Sequence, residues 1–249
     1  MYHYIYDSFL SHKRYQETLA RIETKATLLD IKGPITRLHP LTKMSEAVKR
    51  ALTRGAATIV AVGDDHTFLE LLNTVPNKKT VCGYVFIGTG EKEIAKVLNL
   101  IGPDESIEAI AGRKLATISA GIINNKLFLE KVTIETKDFT AVIDDQVSLK
   151  VSYPRSIFTI TNPNLTAHAS QNANFLDMRI MPIKKRVFSG DVRERDKESR
   201  FLIEKVIIKS QEPMVMTIDS GKETQETVIT AGVVPKAAII IVGREKYSS

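Results

Sequence analysis

With one cysteine in 249 residues, an internal disulfide is excluded. Cys82 sits in the apolar run Val81 to Ile87, where a thiol packs as a small hydrophobe rather than waiting as a nucleophile. Tryptophan is absent and aromatic residues make up 6% of the chain, which leaves few platforms for stacking bases. No nucleic-acid partner is expected on that ground. The longest apolar run, Ala237 to Val242, falls far short of the roughly 20 residues that cross a bilayer. Met1 to Lys13 lacks the basic start and apolar stretch of a signal peptide. The expectation is a cytoplasmic protein that meets a membrane only peripherally, at its inner face.

Several chemistries are missing as well. The histidines His3, His12, His39, His66 and His168 form no H-E-x-x-H pair and have no second cysteine to join, which argues against zinc. There is no G-x-S-x-G nucleophile elbow and no G-x-x-x-x-G-K-[ST] loop. Gly88-Thr89-Gly90-Glu91-Lys92-Glu93 begins like a dinucleotide fingerprint but lacks the third glycine and follows a late strand.

What is present is a globular composition, 43% hydrophobic and 26% charged, long enough for one large core or two modest ones. Lysine and arginine number 35 against 29 acidic residues, a net +6 that suits an acidic partner but equally serves solubility. The stretch Lys184 to Arg200 concentrates charge of both signs. It reads as a solvated loop, with contact to anionic lipid headgroups as the sharper alternative.

The pattern changes near Gly112. Before it, strand-like and helix-like segments alternate. Tyr2 to Asp7, Ile35 to Leu38, Thr58 to Val62 and Val81 to Ile87 read as strands. Tyr15 to Leu29, Glu46 to Thr53, Phe68 to Asn73 and Glu91 to Leu100 read as helices. Leu19, Ile22, Ala26 and Leu29 are set on one face of the first, and Ser45 is placed to cap the second. Such alternation predicts a mostly parallel sheet with helices on both faces. After Lys114 nearly every segment is strand-like, and Asn124-Asn125 marks a hairpin turn. The expected organisation is an α/β domain over residues 1–112 and an all-β sandwich over 113–249, with the last strand free to return to the first domain. Glu105 to Ala111 is read as a connecting helix.

Two turns stand out, Gly63 to Thr67 and Gly88 to Gly90. Each follows a buried strand and opens a helix, so backbone N–H groups converge where the helix dipole favours an anion. In an open parallel sheet these turns fall at the strand ends where ligands gather. The plain alternative is an ordinary strand-to-helix connection at each.

At these turns the chain resembles the diacylglycerol kinase catalytic domain, the bacterial lipid kinase family related to NAD kinase and sphingosine kinase. Gly63-Asp64-Asp65-His66-Thr67-Phe68-Leu69-Glu70-Leu71-Leu72-Asn73 parallels that family's G-G-D-G-T-x-N-E-x-x-N. Ile87-Gly88-Thr89-Gly90 followed by Ile94-Ala95 parallels L-G-T-G-N-D-x-A, and Ile218-Asp219 stands at the place of its D-G-E element. The resemblance runs in order along the chain and implies a two-domain lipid-kinase-like fold. For active members it implies ATP- and Mg²⁺-dependent phosphorylation of a lipid hydroxyl, in phospholipid metabolism. Carried over, Gly63, Asp65 and Thr67 face the phosphates and Mg²⁺, with Asp64 and His66 in the same loop, and Gly88, Thr89 and Gly90 line the other side. Asp7 takes the place of an asparagine at the end of the first strand. Asp219 is the candidate general base, and Asp65 the second catalytic candidate. The implied partners are a nucleotide and a lipid or anionic membrane surface, with a homodimer left open.

Departures from the family pattern carry a physical consequence. Asp64 and His66 replace glycines, whose use is to let bare backbone meet phosphate. A carboxylate about 5 Å from a phosphate charge costs roughly 3 kcal/mol at an effective dielectric near 20. Asp64 and Asp65 could offset this by holding a cation together, or Asp64 could simply cap the helix that follows. Three functional readings therefore stand: a lipid kinase, a kinase-like protein that binds nucleotide, lipid or partner without transferring phosphate, and a kinase of a soluble substrate such as NAD.

Overall fold

The computed structural model describes residues 1–76, 79–88, 90, 92–151, 155–163, 174–186, 190–193, 198–219, 221 and 223–244. The chain divides into two compact units, Met1–Ile118 with Lys236–Ser249, and Ser119–Pro235.

In the first unit the strands β1 (Tyr2–Tyr6), β2 (Ile35–Arg37), β3 (Thr58–Gly63) and β4 (Val81–Phe86) form a parallel sheet in the order β2-β1-β3-β4. Its helices are α1 (Gln16–Leu28), α2 (Met44–Thr53), α3 (Asp65–Thr74), α4 (Glu93–Val97) and α5 (Pro103–Gly112). β3 and β4 are buried at every position, as strands covered on both faces must be. Tyr4, Tyr6, Val60, Val62 and Val85 share a core with Leu19, Ile22 and Ala26 of α1 and with Ile107 and Ile110 of α5. The alternate side chains turn to the opposite face, where Phe68 of α3 stacks on Tyr84 at 4.7 Å. Helices thus cover both faces, and α5 is part of this core rather than a mere connector. Leu29 lies just past α1 and is 39% exposed, so the apolar face closes at Ala26. Lys43, not Ser45, precedes α2, because the fully buried Met44 draws the helix start one residue earlier.

The second unit is antiparallel. The strands are β5 (Leu115–Ile123), β6 (Lys126–Phe128), β7 (Lys131–Thr136), β8 (Phe139–Ile143), β9 (Val147–Val151), β10 (Ser156–Thr161), β11 (Leu176–Arg186), β12 (Gly190–Arg193), β13 (Ser199–Ile203), β14 (Lys205–Ile218) and β15 (Thr224–Ile241). β5 and β15 each pass from one unit to the other. The last residues of β15 pair in parallel with β4, Ile239 opposite Val81, so the chain's final strand completes the first unit's sheet. Asn124 and Asn125 hold the β5–β6 hairpin with positive φ of 43° and 66°, the two-residue turn expected there. β14 pairs with β8 along Val206–Ser210 and, past an irregularity between Lys209 and Met214, with β7 along Val215–Ile218. Past that shift the strand exchanges one neighbour for another, and Phe139 of β8 meets Phe158 of β10 edge-on at 4.4 Å inside the core they share. Of the charged stretch 184–200, residues 187–189 and 194–197 lie outside the described residues; the rest belongs to β11, β12, and β13 with the residue before it. Among the described residues no helix is long and apolar enough to cross a membrane.

Candidate functional site

Three adjacent strands of the first unit end together. Asp7 N–H donates to Val62 O at 2.9 Å and Ile87 N–H donates to Gly63 O at 2.7 Å, which ties the ends of β1, β3 and β4 into one rim. Asp7, Gly63, Asp64, Thr67 and Gly88 meet there.

Asp64 is the N-cap of α3. Its backbone is extended, with φ −96° and ψ −178°, and its Oδ1 accepts from Thr67 N–H at 3.0 Å. Asp64 therefore takes the capping role, which needs no positive φ. The Thr67 hydroxyl is wholly buried and lies 2.9 Å from Asp64 Oδ1 and 2.7 Å from Asp7 Oδ2, two carboxylates sharing one hydrogen. Asp7 in turn caps the short helical turn Ser8–Ser11 through Phe9 N–H. Gly63 is needed for room: a methyl built on it would stand 2.4 Å from Thr67 Oγ1 and 3.1 Å from Asp7 Cβ. A methyl on Gly88 would stand 3.3 Å from Asp64 Cβ, so the Asp64 side chain runs alongside the second turn. His66 and Gly90 are exposed, and Thr89 lies outside the described residues.

Asp65 does not join this group. Its carboxylate turns inward and accepts from Tyr84 Oη–H at 2.8 Å, Ile94 N–H at 2.9 Å and Ala95 N–H at 3.2 Å. Burial pushes its carboxyl above the ordinary range, against the pull of those three donors. The structure pairs Asp64 with Asp7 through Thr67, rather than with Asp65. Among the described residues no group of three or more His, Cys, Asp or Glu side chains is arranged to hold a metal ion.

Asp219 belongs to the second unit. It has a positive φ of 42°, its N–H donates to Lys131 O at 2.9 Å, and its carboxylate accepts from Leu129, Glu130 and Lys131 N–H at 2.7–2.9 Å. Burial raises its carboxyl in spite of these bonds. Asp144 repeats the arrangement: φ of 50°, N–H to Lys205 O, and Oδ1 accepting from Glu204 and Lys205 N–H. Asn124 does the same with Thr230. One local device, a left-handed residue whose side chain mimics a further ladder bond, thus occurs at three strand ends.

The partner Tyr84 carries no signal in the sequence beyond its apolar setting, and Ile94 and Ala95 were legible only as part of the second signature. Glu70 was legible only as part of the signature; its carboxyl is raised by burial, lowered in part by His66 and raised further by Asp7. A triphosphate seated on bare backbone does not fit these residues. One of the N–H donors at the start of α3, that of Thr67, is spent on Asp64, Thr67 and Asp7 fill the space beside Gly63, and Asp64 Cβ lies against Gly88.

No protein-family model matches the chain, and no curated protein matches it. Solved structures do. A Bacillus anthracis Sterne protein described as a diacylglycerol kinase superposes with a TM-score of 0.69 over 97% of this chain and 96% of its own, at 14% identity. Two further chains from that organism, described as candidate diacylglycerol kinases, give TM-scores of 0.70 and 0.68 at 12% and 13% identity. They cover 97% and 99% of this chain and 96% and 98% of theirs. The fold is that of these three structures. At such identity the likeness concerns backbone architecture, and the side chains just described speak for themselves.

Proposed function

We propose that this chain is a lipid-binding protein of the lipid-kinase fold that does not transfer phosphate from a nucleotide. One observation carries the reading. Each carboxylate in line for the chemistry, Asp65 and Asp219, spends its oxygens on three hydrogen-bond donors of its own unit. A general base needs a free lone pair for the substrate proton, and these bonds fill three of about four lone-pair positions on each carboxylate and fix it to its own scaffold. The lipid is taken from the fold neighbours, which are described as kinases of diacylglycerol, and contact with a membrane would be peripheral. The purified chain is expected to sediment with vesicles containing diacylglycerol and to form no phosphatidate from them with Mg-ATP. Sustained phosphatidate formation above a heat-treated control overturns the reading.

A second reading, ATP-dependent phosphorylation of a lipid hydroxyl, draws support from one finding: the fold agreement spans 97% of the chain, with both units present. It predicts turnover in the same assay, lost on Asp65→Asn and on Asp219→Asn.

A further inference from the structure

Unpaired N–H groups and the helix dipole draw anions to the start of a helix. At α3 an anion is already in place, and it is part of the turn itself. Asp64 Oδ1 holds Thr67 N–H at 3.0 Å and lies 2.9 Å from Thr67 Oγ1, and Asp7 Oδ2 approaches the same hydroxyl at 2.7 Å. Space is committed too. Asp64 Cβ would stand 3.3 Å from a methyl on Gly88, so it lies against the second turn, where a glycine at position 64 would leave room.

We infer that Asp64 closes the phosphate seat of this fold from within, so that the turn that looks like a polyanion loop excludes inorganic and nucleotide phosphate. The inference rests on the non-transferring reading given above and supplies its cause: one built-in carboxylate, held by Thr67 and backed by Asp7, rather than loss of the scaffold. Two effects act together, occupation of the capping N–H and repulsion of the incoming charge. Repulsion alone weakens phosphate binding on the order of a hundredfold at a separation of about 5 Å.

The test is calorimetry of the full chain with pyrophosphate and with ATP, each with and without Mg²⁺, for the wild type and for Asp64→Gly and Asp64→Ser. Serine keeps a neutral cap on α3, so that variant retains the fold even if the glycine variant does not. Expected is no measurable binding by the wild type and a gain of at least about tenfold for a folded variant. Wild-type binding of pyrophosphate as tight as that of the variants overturns the inference. So does a folded Asp64→Ser that binds no better than the wild type. Failure to bind diacylglycerol vesicles would remove the lipid reading and leave this result untouched, whereas a missing gain removes the inference and leaves lipid binding untouched.

Discussion

Tyr84 gives its phenol hydrogen to Oδ1 of Asp65 at 2.8 Å, a buried bond between the fourth strand and the helix that leaves the third. The same carboxylate holds the N–H groups of Ile94 and Ala95, so one side chain ties β4, α3 and α4 together. Tyr84→Phe removes one of three donors and should cost about 1–2 kcal/mol, read as a lower urea midpoint at unchanged slope. Asp65→Asn keeps one acceptor oxygen for three donors and should cost about 1–3 kcal/mol. A role for Asp65 confined to ligand contact would leave both midpoints where they are.

Asp219, Asp144 and Asn124 hold three strand ends by the same left-handed geometry. Replacing Asp219 by alanine strands half-buried N–H groups and strains the backbone, at about 1–3 kcal/mol, whereas at Asp144 and Asn124 the released N–H groups are exposed to water and the cost is mainly backbone strain, about 1 kcal/mol. Asp219→Asn should be milder than Asp219→Ala, because asparagine tolerates positive φ and keeps one acceptor. Chemical denaturation of the three alanine variants checks this; a silent Asp219→Ala would contradict the structural role.

The two glycine turns separate cleanly on sterics. Gly63→Ala drives a methyl into Thr67 and should destabilise by about 1–3 kcal/mol. Gly90→Ala meets nothing within 4 Å and should stay within about 0.5 kcal/mol of the wild type. Thermal unfolding of the pair, measured side by side, distinguishes them.

His3 is fully buried, bonded through Nε2 to Thr36 Oγ1 at 2.9 Å, with Nδ1 left without a partner among the described residues. Burial, then the charges of Arg54 and Arg50, lower its pKa from the ordinary 6.5. The unfolded chain therefore takes the proton first as pH falls, and folding stability should drop below about pH 6.5. Urea unfolding at pH 8 and pH 5.5 measures the loss. His3→Gln should flatten that dependence, and an unchanged slope would assign it to other groups.

Cys82 is buried in β4 and its thiol is pushed up to about 12. An aromatic disulfide reagent at pH 8 should react with the native protein many times more slowly than with protein in denaturant. Equal rates would mean that β4 opens readily.

Periodicity alone exposed most of the architecture. Helical spacing of Leu19, Ile22 and Ala26, the apolar runs of β3 and β4, and the asparagine pair at 124–125 act through neighbours in the chain, and local rules suffice for them. Strand continuity was harder. The apolar run Ala237 to Val242 is only the end of the long β15, which begins at Thr224, and the strand-like stretch after the hairpin turn divides into β6 and β7. Those boundaries depend on which partners a strand finds, and its partners are far away in sequence.

The site shows the same division. Local preferences of backbone and side chain were enough for a strand, a small-residue turn and a helix to present Asp64 and Asp65 at the carboxyl end of the sheet. The sequence by itself did not determine where either carboxylate would point. Successive residues at a helix start are turned about 100° from one another. The cap side chain folds back on its own helix, and the next reaches toward whatever packs alongside. Only the tertiary structure, by bringing Tyr84, Ile94 and Ala95 beside α3, decided that Asp65 would become a buried tie while Asp64 stayed at the rim.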